Sequence, residues 1–190
     1  MLFTNTNHLR ALEIQMQLVP NFKQRGSGLR IIGLPSDNYD KALIKLMNDI
    51  GNPLLTARIL LRGTEMKAKY KSNFHKKAFT EYVETHITNP YIMRREYIAA
   101  LFLLSADKNL WQRSQDAVMG CSINLGKINL HDITVGNYAL YKAAKTIYTG
   151  RQEITVGELC DCELIDDSVL CTILNAFIIA RNGIGILNRR

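Results

Sequence analysis

The densest hydrophobic run of the chain is residues 97–104, which read YIAALFLL. Polar residues precede the run at positions 94–96 and follow it at positions 105–109. The run is far too short to span a bilayer. It is also too uniformly apolar for a helix with one exposed face. The pattern therefore predicts a buried central helix that other segments of the chain must cover.

Residues 168–181 are also apolar almost all round, and we expect them to pack against residues 97–104. Other segments have apolar side chains on one helical face. These segments are residues 5–19, 37–50, 54–70, 74–87, 107–120, 131–149 and a single turn at 156–160. The sum is about eight helices with no convincing sheet. We therefore expect an all-α fold, with a helical core and a basic helical N-terminal subdomain.

The spacing also predicts which residues end the helices and which side chains point inward. Ser36 is expected to cap the second helix, and Asp166 or Asp167 the last one. Gly51 and Gly150 are expected to end helices. Residues 121–130 are expected to be irregular. The predicted inward side chains of helices 54–70 and 74–87 are Leu54, Leu55, Ile59, Leu60, Leu61, Phe74, Ala78, Phe79, Tyr82 and Val83.

The net charge of +7 is distributed unevenly along the chain. Residues 1–80 hold 13 Lys and Arg against 5 Asp and Glu, whereas residues 81–190 hold 11 against 12. Such asymmetry indicates an anionic partner for the first part, either nucleic acid or an acidic protein surface. A soluble protein that is simply basic is the alternative. We divide the chain into a basic helical region, residues 1–76, and a helical core module, residues 77–190.

Basic residues of the N-terminal region are the candidates for contact with a partner. Lysines interleave with Tyr70, Phe74 and Phe79, as in surfaces that neutralise phosphate and stack on unpaired bases. The same pattern fits aromatic core residues beside a solvated lysine face. Residues 37–62 also fit a helix-turn-helix, with the arginines of the second helix facing outward. The candidates are Arg25, Arg30, Arg58, Arg62, Lys67, Lys69, Lys71, Lys76 and Lys77.

The sequence contains no pattern that points to catalysis. Cys160 and Cys162 lack the spacing of a zinc pair, and the four histidines are scattered singly. The glycine-rich loop at residues 25–30 lacks the ending of a phosphate-binding loop. We read the acidic residues at 158–167 as helix caps rather than as a cation site. We therefore expect a protein that is not an enzyme and that uses no metal or cofactor.

Three stretches carry a family resemblance. They are residues 95–111 (REYIAALFLLSADKNLW), residues 139–150 (ALYKAAKTIYTG), and residues 158–180, which begin with EL and include LIDDS at 164–168 and AFIIA at 176–180. In pattern and order, residues from about 77 to 187 resemble an uncharacterised family of small helical proteins from phages and prophages of Gram-positive bacteria. The resemblance implies a compact helical module of mobile-element accessory genes and no particular activity. The basic region 1–76 is an addition to that module.

These observations lead us to expect a non-enzymatic accessory protein that binds a host macromolecular target through its basic N-terminal region. The expected partner is a host protein or ribonucleoprotein complex, for example a bacterial defence nuclease such as a CRISPR effector. A basic chain suits an acidic protein surface or the nucleic acid itself, rather than mimicry of nucleic acid. Direct DNA or RNA binding by a regulatory protein is the alternative. We expect a cytoplasmic location, because neither a secretory signal nor a membrane-spanning run is visible.

Overall fold

The computed structural model describes residues 38–61, 69–90 and 93–188. These residues form eight α-helices and a two-stranded hairpin, so the predicted all-α fold is confirmed. The predicted helix 5–19 lies outside them. The helices are α1 (Tyr39–Ile50), α2 (Pro53–Leu61), α3 (Asn73–His86), α4 (Arg95–Leu104), α5 (Lys108–Ser114), α6 (Val135–Thr149), α7 (Val156–Cys160) and α8 (Asp167–Asn182). No described helix has both the length and the apolar character that a membrane crossing needs.

The central helix α4 is the hub of the core, as its composition predicts. Every side chain from Tyr97 to Leu104 is buried. The helices α6 and α8 cover α4, and α8 also packs against α6 and α1. Burial of one large aliphatic side chain stabilises the fold by about 1.5–3 kcal/mol. The packing of α8 on residues 97–104, predicted from their shared lack of polar positions, is confirmed.

Side chains and glycines define most helix ends. Asp107, Thr134 and Asp166 cap α5, α6 and α8 by accepting hydrogen bonds from backbone N–H groups of the first turns. Gly51 and Gly150 end α1 and α6 in the left-handed conformation, as predicted. The residue that caps α1 is Asn38, whose side-chain oxygen accepts a hydrogen bond from Asp40 N at 2.7 Å. The predicted cap, Ser36, lies outside the described residues.

The segment predicted as one helix from Asp107 to Gly120 is divided in the structure. The helix α5 ends at Ser114, and a 3-10 turn, Gln115–Ala117, follows it. The strands β1 (Val118–Met119) and β2 (Ser122–Ile123) then pair in an antiparallel hairpin. Gly120 makes the turn possible with a φ of 53°. Two short strands with one buried position each give too little alternation to be predicted from the sequence.

The burial of α2 also differs from the prediction. Only Leu55 and Ile59 of its leucine-rich sequence are buried. Leu54, Leu60 and Leu61 are 71%, 66% and 84% exposed, so their predicted inward placement is wrong. The physical reason is that, among the described elements, α2 packs mainly against α7, with Arg58 reaching the start of α8. A helix that packs on one side can bury only the positions on that side.

The boundary predicted between residues 76 and 77 falls inside α3. The described residues on both sides of it belong to one compact unit. Two contacts tie α1 to α8: the Tyr39 hydroxyl donates to Asn175 Oδ1 at 2.6 Å, and Arg181 Nη1 lies 3.0 Å from Asp49 Oδ2. The helices before residue 77 therefore share the core of the C-terminal module.

The last described residues form a 3-10 helix, Ile184–Asn188, with Ile186 and Leu187 buried.

Candidate functional site

Four of the predicted contact residues, Arg25, Arg30, Arg62 and Lys67, lie outside the described residues. The structure places the other five, and it separates them into two groups. Arg58 and Lys69 take part in contacts within the protein. The remaining three, Lys71, Lys76 and Lys77, lie at the start of α3 or just before it. Two of the five described candidates are therefore engaged in contacts within the protein.

Arg58 points into the protein, so its predicted outward position is wrong. Its side chain is only 10% exposed. The guanidinium donates from Nε to Asp167 Oδ1 at 3.0 Å and from Nη1 to the carbonyl of Leu159 at 2.9 Å. It donates from Nη2 to Asp167 Oδ1 at 2.8 Å and also to the carbonyl of Ile165. Arg58 therefore joins α2 to α7, to the start of α8 and to the loop between them, instead of facing a partner.

The lysines around the start of α3 differ in how much of their charge faces solvent. Lys69 Nζ donates to Asn188 Oδ1 and lies 5.4 Å from the centre of the Tyr70 ring. Lys71 is half-buried, and its backbone N–H donates to His75 Nδ1 at 3.0 Å. Lys76 and Lys77 are exposed on α3. Among the five described candidates, Lys76 and Lys77 are therefore the ones whose exposed charge can meet a partner.

An open groove lies between α3 and α5 and is the candidate site. Its volume is about 510 Å³, within the range of ligand-binding clefts. Phe74, Ala78 and Tyr82 line it at i, i+4 and i+8 of α3, so they share one face of that helix. The facing helix α5 lines the groove with residues at i, i+3 and i+4, which also share one helical face. The α5 residues are Lys108, Trp111 and Gln112, and Gln115 of the following turn completes that side.

Aromatic rings form much of the groove. The rings of Tyr82 and His86 are stacked, with centroids 4.3 Å apart and planes 14° apart. Trp111 meets the Tyr82 ring edge-to-face at 5.5 Å. Phe74 is 36% exposed at the other end of the α3 side. The predicted inward placement of Phe74 is wrong, because its side chain is exposed. Tyr82 packs partly against the core, as predicted, and also borders the groove.

The charges of the groove are mixed but mainly basic. Lys77 and Lys108 line it from opposite helices, and Glu81 lines it one turn after Lys77. All three residues are exposed. Exposed lysines contribute to the attraction of anions, and this attraction weakens as salt increases. The groove therefore combines ammonium groups, aromatic rings and two glutamine amides.

The opposite face of α3 has a different role. His75 is fully buried and its ring contacts Phe102 of α4 edge-to-face, with centroids 4.3 Å apart. Burial is the largest cause that lowers the pKa of His75 from 6.5 to about 3. The ring is therefore neutral at physiological pH, with Nδ1 as the acceptor for Lys71 N–H. His75 anchors the first turn of α3, which also carries Phe74 and Lys76, to the core.

Asp166 caps α8, as predicted, and two further acidic side chains of residues 158–167 accept hydrogen bonds within the protein. Asp166 Oδ1 accepts from Val169 N at 2.8 Å, and Asp161 Oδ1 accepts from Glu163 N at 2.9 Å. Glu158 accepts from Lys142 Nζ at 2.6 Å, and this hydrogen bond is the largest cause that lowers its pKa. Among the described residues, no group of three or more His, Cys, Asp or Glu side chains is arranged to hold a metal ion.

The sequence pattern predicts Lys77 as a contact residue but does not predict the groove beside it. The signal was present as two matching patterns: positions 74, 77, 78, 81, 82 and 85 on one helix, and 108, 111, 112 and 115 on the other. Each pattern predicts a helical face. Their juxtaposition depends on how α4 positions both helices, which a single sequence does not reveal.

No family model, curated protein or solved structure matches this chain. The resemblance to phage and prophage proteins therefore remains a prediction.

Proposed function

We propose that the protein is a non-enzymatic, nucleic-acid-binding regulatory or accessory protein, and that the groove between α3 and α5 is part of its contact surface. One observation carries the proposal: exposed lysines stand beside accessible aromatic rings in a single groove. Lys77 and Lys108 flank the rings from the two sides, and Lys76 extends the positive charge along α3. Neutralisation of phosphates by such lysines releases counterions and drives association.

A second candidate is docking on an acidic surface of a host protein or ribonucleoprotein. The observation in its favour is that Glu81 interrupts the basic lining, because mixed charge suits a protein surface better than a polyanion. In this reading the chain is an accessory protein of a phage that acts in the bacterial cytoplasm. A component of a defence nuclease, such as a CRISPR effector, is the partner class that the family resemblance suggests.

Binding of labelled DNA and RNA, measured by fluorescence anisotropy at low and at physiological salt, tests the first candidate. The expected result is binding that weakens steeply with salt. The double variant Lys77→Glu/Lys108→Glu should weaken it at least about tenfold and reduce the dependence on salt. The matched control is Lys41→Glu/Lys127→Glu, which changes the net charge equally at exposed positions outside the groove.

Two results would contradict the proposal. In the first, no nucleic acid binds even at low salt, which leaves protein docking as the leading candidate. In the second, both double variants weaken binding equally, which assigns the effect to net charge rather than to the groove.

A further inference from the structure

The spacing of aromatic residues along α3 leaves a gap in the groove. Phe74 and Tyr82 are eight residues apart on one helical face, which separates their Cα atoms by about 12 Å along the axis. Ala78 lies between them on the same face, and its side chain is a single methyl group. The gap is therefore bordered by a large ring at each end, and the small apolar side chain of Ala78 lies between them. Such a gap admits a flat ring between or beside the two aromatic side chains.

The accessible rings at the two ends are those of Phe74 and His86, while Tyr82 is half-buried between His86 and Trp111. Phe74 is 36% exposed, although a phenyl ring gains free energy when it is buried. His86 is exposed and already stacks on Tyr82 with an angle of 14° between the planes. One face of Tyr82 is thus occupied by His86, and the edge-to-face contact of Trp111 supports the pair from the α5 side. The groove presents a preformed aromatic platform whose outer members face solvent.

The polar groups of the groove match the other parts of a nucleotide. Lys77 and Lys108 approach from opposite helices, at positions where they can neutralise phosphates on either side of a base. The Gln112 and Gln115 amides each offer both a donor and an acceptor to a base edge. The Glu81 carboxylate repels phosphate, but it can accept a hydrogen bond from the amino group of a base.

We infer that the groove binds unpaired nucleotides of single-stranded nucleic acid. A base stacks on Phe74 or on the Tyr82–His86 pair, and the flanking phosphates contact Lys77 and Lys108. A duplex keeps its bases stacked inside, so it can use the lysines but not the rings. This inference rests on the proposed function and narrows it from nucleic acid in general to single strands.

Trp111 supplies a direct probe of the groove. It is the single tryptophan of the chain and lies beneath the groove with 6% of its surface exposed. A base that enters the groove should change the fluorescence of Trp111. The probes are a single-stranded DNA oligonucleotide, its duplex, and an abasic strand of the same length and charge. Anisotropy and Trp111 fluorescence are followed in the same titrations.

The inference predicts that the single strand binds at least about tenfold more tightly than the duplex or the abasic strand, and that it alone changes Trp111 fluorescence. Phe74→Ala should weaken single-strand binding about 5- to 150-fold, the range for loss of one stacked base, and should leave duplex binding unchanged. Phe74→Tyr should restore binding because it keeps the ring. Tyr138→Ala, which removes an exposed aromatic side chain from α6, should have no effect.

The outcomes separate this inference from the proposed function. Equal binding of single strand, duplex and abasic strand, all lost in Lys77→Glu/Lys108→Glu, overturns the inference and leaves the proposed function intact. Full rescue of the alanine variant's defect by Phe74→Leu also overturns the inference, since an aliphatic side chain cannot stack in this way. Absence of any binding overturns both. Circular dichroism of each variant verifies that the change at the partly exposed Phe74 leaves the helices formed.

Discussion

The helices α2 and α3 carry similar residues and use them in opposite ways. The helix α2 turns its arginine, Arg58, inward and leaves three of its leucines exposed. The helix α3 turns an uncharged histidine, His75, inward and leaves its lysines and Phe74 exposed. The sequence pattern suggested the same arrangement for both helices, with aliphatic and aromatic residues inside and cations outside.

The difference lies in what each helix faces. The inner side of α2 meets two backbone carbonyls and the Asp167 carboxylate, all of which need hydrogen-bond donors. The inner side of α3 meets the aromatic rings of Tyr70 and Phe102, which accommodate a neutral imidazole. A charged residue is therefore no guide to a binding surface until the groups opposite it are known. By this criterion α3 is the better candidate for contact with a partner.

The largest expected effect comes from Arg58→Ala. The substitution removes four hydrogen bonds of the guanidinium at once: one to each of two backbone carbonyls and two to the Asp167 carboxylate. Loss of one partner from a largely buried ion pair is costly, and we expect the free energy of unfolding to fall by about 3 kcal/mol. Urea denaturation, followed by circular dichroism, measures the change through the transition midpoint.

Lys77→Ala is the matched control for Arg58→Ala, because it removes a cation from an exposed position on α3. The free energy of unfolding of this control should change by less than about 0.5 kcal/mol. The opposite pattern, a neutral Arg58→Ala and a costly Lys77→Ala, would reverse the roles that we assign to the two helices. Arg58 would then return as a candidate contact for a partner.

The next largest effect is a dependence of stability on pH that originates at His75. The pKa of His75 is about 3 in the folded protein and 6.5 in the reference state, mainly because burial disfavours the charged ring. The unfolded chain therefore binds a proton at mild acid pH when the folded protein does not. The contribution of His75 is fully present above pH 6.5. As the pH falls from 6.5 toward 3, this contribution to the free energy of unfolding decreases by up to about 1.4 kcal/mol per pH unit.

A comparison with His75→Phe isolates this contribution, because phenylalanine fills the aromatic site and does not titrate. The free energy of unfolding of both proteins is measured between pH 7 and pH 5, before most carboxylates titrate. Glu158, whose pKa is lowered by its hydrogen bond from Lys142, contributes to the loss at lower pH. A difference between the two proteins that stays constant over this range would show that His75 is accessible to protons in the folded state.

The buried helices of the core could be predicted from the sequence, whereas the exposure of individual surface side chains could not. Residues 97–104 of α4 and most of α8 are apolar almost all round, so any packing must bury them. Helix ends such as Gly150 and Asp166 are decided by local conformation, which is visible in the sequence. By contrast, the exposure of Phe74 and the burial of Arg58 depend on residues far away in the chain. The groups they face, on α5, α7 and α8, come together only in the tertiary fold.

A smaller effect is expected from Asp166→Ala, which acts on the surroundings of Arg58. The Asp166 side chain caps α8 by accepting from Val169 N, next to the Ile165 carbonyl and the Asp167 carboxylate that Arg58 binds. Loss of such a cap typically costs about 1 kcal/mol. The double variant with Arg58→Ala should lose less than the sum of the two single variants, because both act on the same loop. Strict additivity would show that the cap and the arginine stabilise the fold independently.

The smallest effect, and the one that tests the outer face of α3 most closely, is expected from Glu81→Gln. Glu81 is exposed and lies in the groove with Lys77 and Lys108. The amide is close to the carboxylate in size, so the free energy of unfolding should change by less than about 0.5 kcal/mol. Removal of the negative charge reduces the repulsion of phosphate, so nucleic acid should bind about two- to fivefold more tightly at low salt and almost equally at high salt. Weaker binding of every oligonucleotide would indicate instead that the carboxylate accepts a hydrogen bond from the ligand, while unchanged binding would place the phosphates away from this groove.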